Sequence, residues 1–199
     1  MIKNIIFDFG QVLVKFIPYD MTKAYISDEN DIKLVAEVVF DRTYWDKLDA
    51  GTITDEEVIE ECKKRLPERL WHSAEKVYYN WIYNIPEIEG MAEVVENLKK
   101  EGINLCILSN IATLFVKHYR ENPMIMRFNK IVFSSACGMT KPNQDIFEYV
   151  LKKYDFKASE TLFVDDRADN ISGAESVGIM GYLFDGNVQK FKDFLENLK

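Results

Sequence analysis

The sequence predicts an α/β fold, a doubly wound, Rossmann-like parallel sheet with a small helical bundle inserted after its first strand. Three observations predict it. Five short runs rich in Ile, Val, Leu and Phe read as buried strands: Asn4 to Phe9, Ile103 to Ser109, Lys130 to Ser134, Thr161 to Asp165 and Ile179 to Phe184. Helical patterns separate the later four, the alternation expected of parallel strands joined by crossover helices. Between the first two strands, in contrast, residues 15 to 86 hold five helical or turn-rich segments and no run that reads as a strand.

Each element has a local cause. In the first run, I-I-F-D-F-G-Q-V-L-V from Ile5 to Val14, the single acid Asp8 stands where a buried strand delivers it to a turn. Thr54 and Glu57 form a capping box ahead of Val58 and Ile59, which starts a helix running from Asp55 to about Arg65. Tyr44, Trp45, Trp71, Tyr78, Tyr79 and Trp81 collect in the same insert, most as packing for a helical bundle and a minority facing the sheet. Met91, Val94, Val95 and Leu98 make one helical stripe from Met91 to Lys100, stopped by Gly102. Ile146, Tyr149, Val150 and Tyr154 repeat that spacing after Pro142. The chain therefore divides into a core, residues 1–14 and 87–199, and a helical cap, residues 15–86, that serves as a lid over the strand ends.

Composition narrows the function classes. With 199 residues, 47% hydrophobic and 29% charged, the chain can bury a substantial core. Its 25 basic and 33 acidic residues leave a net charge of −8, without a basic run, so nucleic acid is not expected as a partner. Cys62, Cys106 and Cys137 lie far apart with no metal or redox spacing, which predicts free thiols and a reducing cytoplasm. No stretch approaches the ~18 apolar residues of a membrane span, and Asp8 interrupts the first apolar run before it could form a signal sequence.

In doubly wound sheets ligands bind at the carboxyl ends of the strands. Those ends carry Asp8, then Ser109 and Asn110, then Lys141 in T-K-P-N, then Asp165 and Asp166. Singly, each has an ordinary explanation: Asp8 as a turn former, Ser109 as a helix N-cap, Lys141 as a solvated lysine, the two acids at a helix N-terminus. Together they form a constellation. Three carboxylates at one sheet edge repel unless a divalent cation holds them, and hard oxygen ligands select magnesium. A lysine and a hydroxyl beside them complete a phosphate site.

In its motifs the chain resembles the haloacid dehalogenase-like hydrolases, in particular the capped phosphatases of the glucose-1-phosphatase-like subgroup. D-F-G-Q-V matches the first motif with its second acid missing, L-C-I-L-S-N the second, the lysine of T-K-P the third, and F-V-D-D the fourth. Receiver domains of two-component signalling use similar parts but place the acid pair on their first strand, whereas here the pair comes last. The resemblance implies a magnesium-dependent phosphatase acting on a small phosphorylated metabolite, a sugar phosphate among the candidates. It implies Asp8 as nucleophile forming an aspartyl-phosphate. Magnesium would be held by Asp8, the carbonyl of Gly10 and Asp166, with Asp165 as ligand or outer partner. Ser109, the Asn110 N–H and Lys141 would bind the phosphoryl oxygens. Arg167 and Asp169 either cap the next helix or orient Lys141.

Gly10 is the departure. It occupies the position of the acid that usually protonates the leaving alcohol, a contribution on the order of 10²–10⁴-fold. Gln11 cannot replace it as an acid, so a substrate hydroxyl, a water or a cap residue must serve. Asp49, in the L-D-A-G-T-I-T turn, is the cap residue expected at the substrate, with Lys47 second; His72 and His118 are expected away from the site. Two rival functions follow from the same glycine: a dehalogenase attacking carbon, or a weakly active phosphate-binding homologue.

Overall fold

The structure is a computed structural model and describes residues 1–198. In chain order, strand β1 (Asn4–Phe7) is followed by α1 (Pro18–Lys23), α2 (Glu29–Val39), α3 (Arg42–Asp49), α4 (Asp55–Arg65) and α5 (Trp71–Asn80). The chain continues as α6 (Met91–Lys100), β2 (Asn104–Ser109), α7 (Thr113–His118), β3 (Lys130–Phe133), α8 (Ser134–Cys137) and α9 (Gln144–Tyr154). It ends in β4 (Thr161–Asp165), α10 (Ala168–Ser176), β5 (Met180–Leu183) and α11 (Val188–Asn197). The strands form one parallel sheet in the order β3-β2-β1-β4-β5. The order reverses beside β1, so β1 and β4 meet at the switch point where such sheets bind ligands.

Alternate residues of each strand enter two cores, as the period-2 geometry of a strand requires. Ile5, Phe7, Leu105, Ile107, Leu162 and Val164 face a large cluster that continues without a break into the insert through Trp81, Trp45 and Val35. Ile6, Cys106, Leu108 and Phe163 face a smaller cluster with Phe147 and Val150 of α9 and Ile171 of α10. Both faces are covered, which is why the strands read as continuous apolar runs.

Helices α4 and α6 have the expected bounds, and the Thr54–Glu57 capping box closes in both directions. Strand β4 has the expected bounds, and the other four strands are shorter than their apolar runs. β1 leaves the ladder after Phe7 although Asp8 N–H still donates to Val164 O at 2.8 Å. The chain then turns through Gln11, φ 57°, and Leu13 and Val14 both donate to Phe9 O. Phe9 and Val12 to Val14 are thus buried in a turn. At the base of the insert, Lys15 N–H donates to Pro86 O and Ile88 N–H to Leu13 O, pairing the outgoing and returning chain. Among the insert aromatics, Trp45, Tyr78 and Trp81 are buried and Tyr44 packs against the core, as expected of most of them, while Trp71 and Tyr79 are more than a third exposed. Trp71 still anchors itself by donating its indole N–H to Leu66 O. No helix of the described residues is long and apolar enough to cross a membrane.

Candidate active site

Asp8, Ser109, Asn110 and Lys141 line one cavity of about 300 Å³ at the carboxyl ends of the strands, and Asp49 joins them from the insert. A larger groove, about 700 Å³, lies between α6 and α11 by Met1 and Ile103, at the opposite end of the strands. It has none of this chemistry.

Lys141 is the centre of the arrangement. Its ammonium stands 2.9 Å from Asp8 Oδ1 and 2.6 Å from Asp165 Oδ2, over the ring of Phe163 at 5.2 Å, and the side chain is almost wholly buried. The solvated-lysine reading is therefore excluded. Burial alone would lower its pKa, but the two carboxylates outweigh burial and raise it. Three devices hold it there. The Asn110 side chain grips the backbone of Lys141, its Oδ1 accepting from Lys141 N–H and its Nδ2 donating to Lys141 O, each at 2.9 Å. Asn170 Nδ2 donates to both oxygens of Asp165, which also accepts from Arg167 N–H. Gly173 lets α10 approach, because a Cβ there would collide with the carbonyl oxygen of Pro142. Sequence reasoning missed Asn170 and Gly173. Their signal was available: Asn170 lies one helical turn past the acid pair, and a glycine inside a helix commonly marks close packing.

Asp8 Oδ1 accepts from Phe9 N–H at 2.7 Å as well as pairing with Lys141, and Oδ2 has no hydrogen bond among the described residues. Burial pushes the Asp8 pKa up and Lys141 pulls it back, leaving it at about 6, so the carboxylate is ionised at neutral pH. Carboxylate oxygens of Asp8, Asp165 and Asp166 come within 4.8 Å of one another. Burial and the neighbouring Asp165 raise the pKa of Asp166, the exposed member. An all-oxygen set of three acids, of which one lysine compensates only part, suits a hard divalent ion such as magnesium.

The remaining expectations sort by geometry. Ser109 is buried against the cavity and is no helix cap, since Ala112 occupies the N-cap of α7. Arg167 and Asp169 pair with each other at 2.6 Å on the surface, and the residue that orients Asp165 beside Lys141 is Asn170. Lys47 is exposed on the outer side of α3 and does not line the cavity, whereas Arg42, Trp45 and Asp49 do. The spacing i, i+3, i+7 puts those three on one helical face and excludes Lys47. His72 is exposed, and His118 pairs with Glu121 at 2.9 Å, both outside the cavity.

The insert side of the cavity is mostly apolar: Phe16, Phe40, Trp45, Trp81 and Ile85. Phe40 stacks on Trp45 at 5.3 Å, and Trp81 meets Trp45 and Phe16 edge to face. Trp81 Nε1 is buried with no hydrogen-bond partner among the described residues. Two polar contacts seat the insert on the sheet. Ser134, directly after β3, donates its Oγ to Asp49 O and accepts from Ile111 N–H. Lys117 of α7 pairs with Asp55 of α4 at 3.2 Å.

A family model described as haloacid dehalogenase-like hydrolase matches residues 2–178. A sesquiterpene phosphatase of Aspergillus oryzae is 27% identical over 184 residues, 90% of this chain and 88% of that protein. A D-ribitol-5-phosphate phosphatase of Bacteroides thetaiotaomicron is 26% identical over 189 residues, 89% of each chain. Among solved structures, a HAD family enzyme of Bacteroides thetaiotaomicron in complex with magnesium and inorganic phosphate superposes with a TM-score of 0.70 at 21% identity, covering 92% of this chain and 93% of that one.

Proposed function

The chain belongs to the haloacid dehalogenase-like hydrolases, and from that premise we propose that it is a magnesium-dependent phosphatase cleaving small phosphate monoesters. The observation that carries this reading is Lys141, buried between Asp8 and Asp165 and leaving Asp8 Oδ2 free of hydrogen bonds among the described residues in the cavity that both residues line. In the first step Asp8 Oδ2 forms a bond to phosphorus and the bond to the leaving oxygen breaks. Water then displaces the aspartyl oxygen, releasing phosphate and restoring Asp8. Lys141, the Ser109 hydroxyl and the Asn110 N–H bind the phosphoryl oxygens, where fixed donors stabilise charge developing in the transition state.

Asp8, Asp166 and the Gly10 carbonyl would hold magnesium. Asp165 serves one shell further out, because both of its oxygens already accept from Lys141, Asn170 and Arg167. The ion supplies charge neutralisation of the phosphoryl group when bound. The insert is the cap in this reading: it closes the cavity and its residues select the organic part of the substrate. A sugar phosphate fits the subgroup resemblance, and the substrate of the relative from Bacteroides thetaiotaomicron is a sugar-alcohol phosphate. A second reading, an apolar alcohol, is favoured by the aromatic wall of Phe16, Phe40, Trp45 and Trp81, and the relative from Aspergillus oryzae is a sesquiterpene phosphatase.

A panel of sugar, prenyl and aryl phosphates assayed with magnesium tests the proposal, with Asp8→Asn as the control. Turnover should require magnesium and vanish in Asp8→Asn; turnover unchanged in that variant refutes it. Halide release from a haloacid in the presence of chelator would instead favour the dehalogenase, which attacks carbon and needs no metal. Binding of beryllium fluoride with magnesium but no turnover of any ester would mark the phosphate-binding homologue.

A further inference from the structure

We infer that Asp49 is the proton donor and acceptor of this site, supplying from the insert what Gly10 cannot supply from the sheet. The inference rests on the phosphatase reading. It begins from the titratable groups that line the cavity: Asp8, Arg42, Asp49, Lys141 and Arg167. Asp8 is the nucleophile. The two guanidiniums stay protonated at working pH and cannot cycle a proton. Lys141 is fixed between two carboxylates that hold its proton. Gln11, next to Gly10, has no acidic proton, and its side-chain oxygen already accepts from Phe16 N–H at 2.9 Å. Asp49 remains.

Its surroundings suit the role. Asp49 is buried, yet its carboxylate makes no hydrogen bond or ion pair among the described residues. Its carboxylate oxygens are not among the solvent-excluded atoms that lack a partner, so they are open to the cavity that Asp49 shares with Asp8 and Lys141. Its backbone is fixed, because Ser134 Oγ donates to Asp49 O. The charged groups that act on it are Arg42 and Asp46 on its own helix, Asp8 on the sheet, and Lys141 on the loop below. Burial dominates: opposed by Arg42 and Lys141 and reinforced by Asp46 and Asp8, it pushes the Asp49 pKa up to about 7. A group that must give a proton and then take one works best when its pKa lies near the operating pH.

The proton balance closes. As Asp8 Oδ2 bonds to phosphorus, the leaving oxygen takes the electron pair of the broken P–O bond and the proton of Asp49. In the second step Asp49 takes a proton from the attacking water, whose oxygen bonds to phosphorus while the Asp8–phosphorus bond breaks. Asp8 returns as carboxylate and Asp49 as acid.

The test uses leaving groups. 4-Nitrophenyl phosphate needs little protonation of its leaving oxygen, whereas a simple alkyl phosphate needs much. Asp49→Asn should lower kcat/KM for the alkyl ester by about 10²–10³-fold, and for 4-nitrophenyl phosphate by at least about ten-fold less. On the aryl ester that variant should release a burst of nitrophenol equal to the enzyme, followed by slow turnover, because the second step loses its base. Adding Gly10→Asp to Asp49→Asn should recover alkyl turnover by at least about ten-fold. Equal losses on both esters without a burst would overturn the inference. If Asp49→Asn shows no cooperative melt, the wild-type pH profile decides. Alkyl kcat/KM per phosphate dianion should fall above pH ~7 while the aryl value does not, and superimposable profiles overturn the inference. A wild type that releases phosphate from neither ester with magnesium refutes the phosphatase reading itself, a result distinct from failure of the Asp49 assignment.

Discussion

Asp49 should make the metal-free protein less stable as pH rises, and Asp49→Asn should remove that dependence. The folded-state pKa of about 7 lies above the ordinary value of 3.8 because burial disfavours the charge. Between those two values the unfolded chain has lost the proton and the folded chain has kept it, so stability falls with pH. The contribution is fully present below the unfolded value and gone above the folded one. One proton is worth about 1.4 kcal/mol per pH unit, and because the folded group is half ionised at pH 7 the change between pH 5 and pH 7 amounts to about 2.3 kcal/mol. Asparagine has the same shape and no titration, so the difference between variant and wild type should widen by that amount over the interval. With a urea m-value of about 2 kcal/mol/M, the unfolding midpoints should separate by about 1.1 M more at pH 7 than at pH 5. Urea melts in chelator at the two pH values measure it. Asp8 titrates in both proteins and cancels to first order. Midpoint differences that agree within about 0.2 M at the two pH values would mean that Asp49 is already ionised in the folded protein at pH 5, and the pH argument for its role would fail.

Other substitutions separate binding, positioning and backbone effects. Lys141→Met leaves Asp8 and Asp165 facing each other without their cation and should cost about 3–5 kcal/mol at neutral pH, read from urea melts, with magnesium restoring part of it. Asn170→Ala frees the Asp165 carboxylate and should lower kcat/KM about 10–100-fold in a magnesium-dependent phosphatase assay, with a weaker apparent magnesium affinity. Gly10→Ala should melt within about 1 kcal/mol of wild type, since an added Cβ would meet only Phe16 Cβ, at 4.0 Å.

Legibility of the chain followed the range of the interactions. The strands, the α4 and α6 boundaries and the order of the motif residues depend on neighbours within a few positions, and local pattern carried them. The end of β1 did not follow its apolar run, because burial in a turn and burial in a strand demand the same residues. Phe9 satisfies the pattern while its carbonyl serves the turn through Leu13 and Val14. Asp8, Ser109, Asn110, Lys141, Asp165 and Asp166 could be gathered at one sheet edge from topology alone. What holds them could not: Asn110 clamps a residue 31 positions away and Ser134 fixes one 85 positions away. Lys47 was attractive because of its charge, but helical phase puts Arg42 rather than Lys47 at the cavity.

Gly10 bears on all of this. A glycine is kept either because the backbone needs it or because a side chain would interfere with function. Six other glycines of this chain adopt positive φ, and Gly10 is not among them. A Cβ there would make only an ordinary contact with Phe16 Cβ, and so neither conformation nor packing requires the glycine. That leaves its place beside Asp8 and the substrate cavity as what sets this glycine apart. With a side chain there, the cavity between Asp8 and the ring wall would narrow at its polar end. Without one, the organic part of the substrate can approach β1 closely while the acid reaches it from α3. In the proposed mechanism nucleophile and acid would stand on different layers of the molecule, registered by the contact between Ser134 and the backbone of Asp49. Under the Asp49 assignment proton transfer would be tied to how the insert sits on the sheet, whereas an acid at position 10 would tie it to the sheet alone.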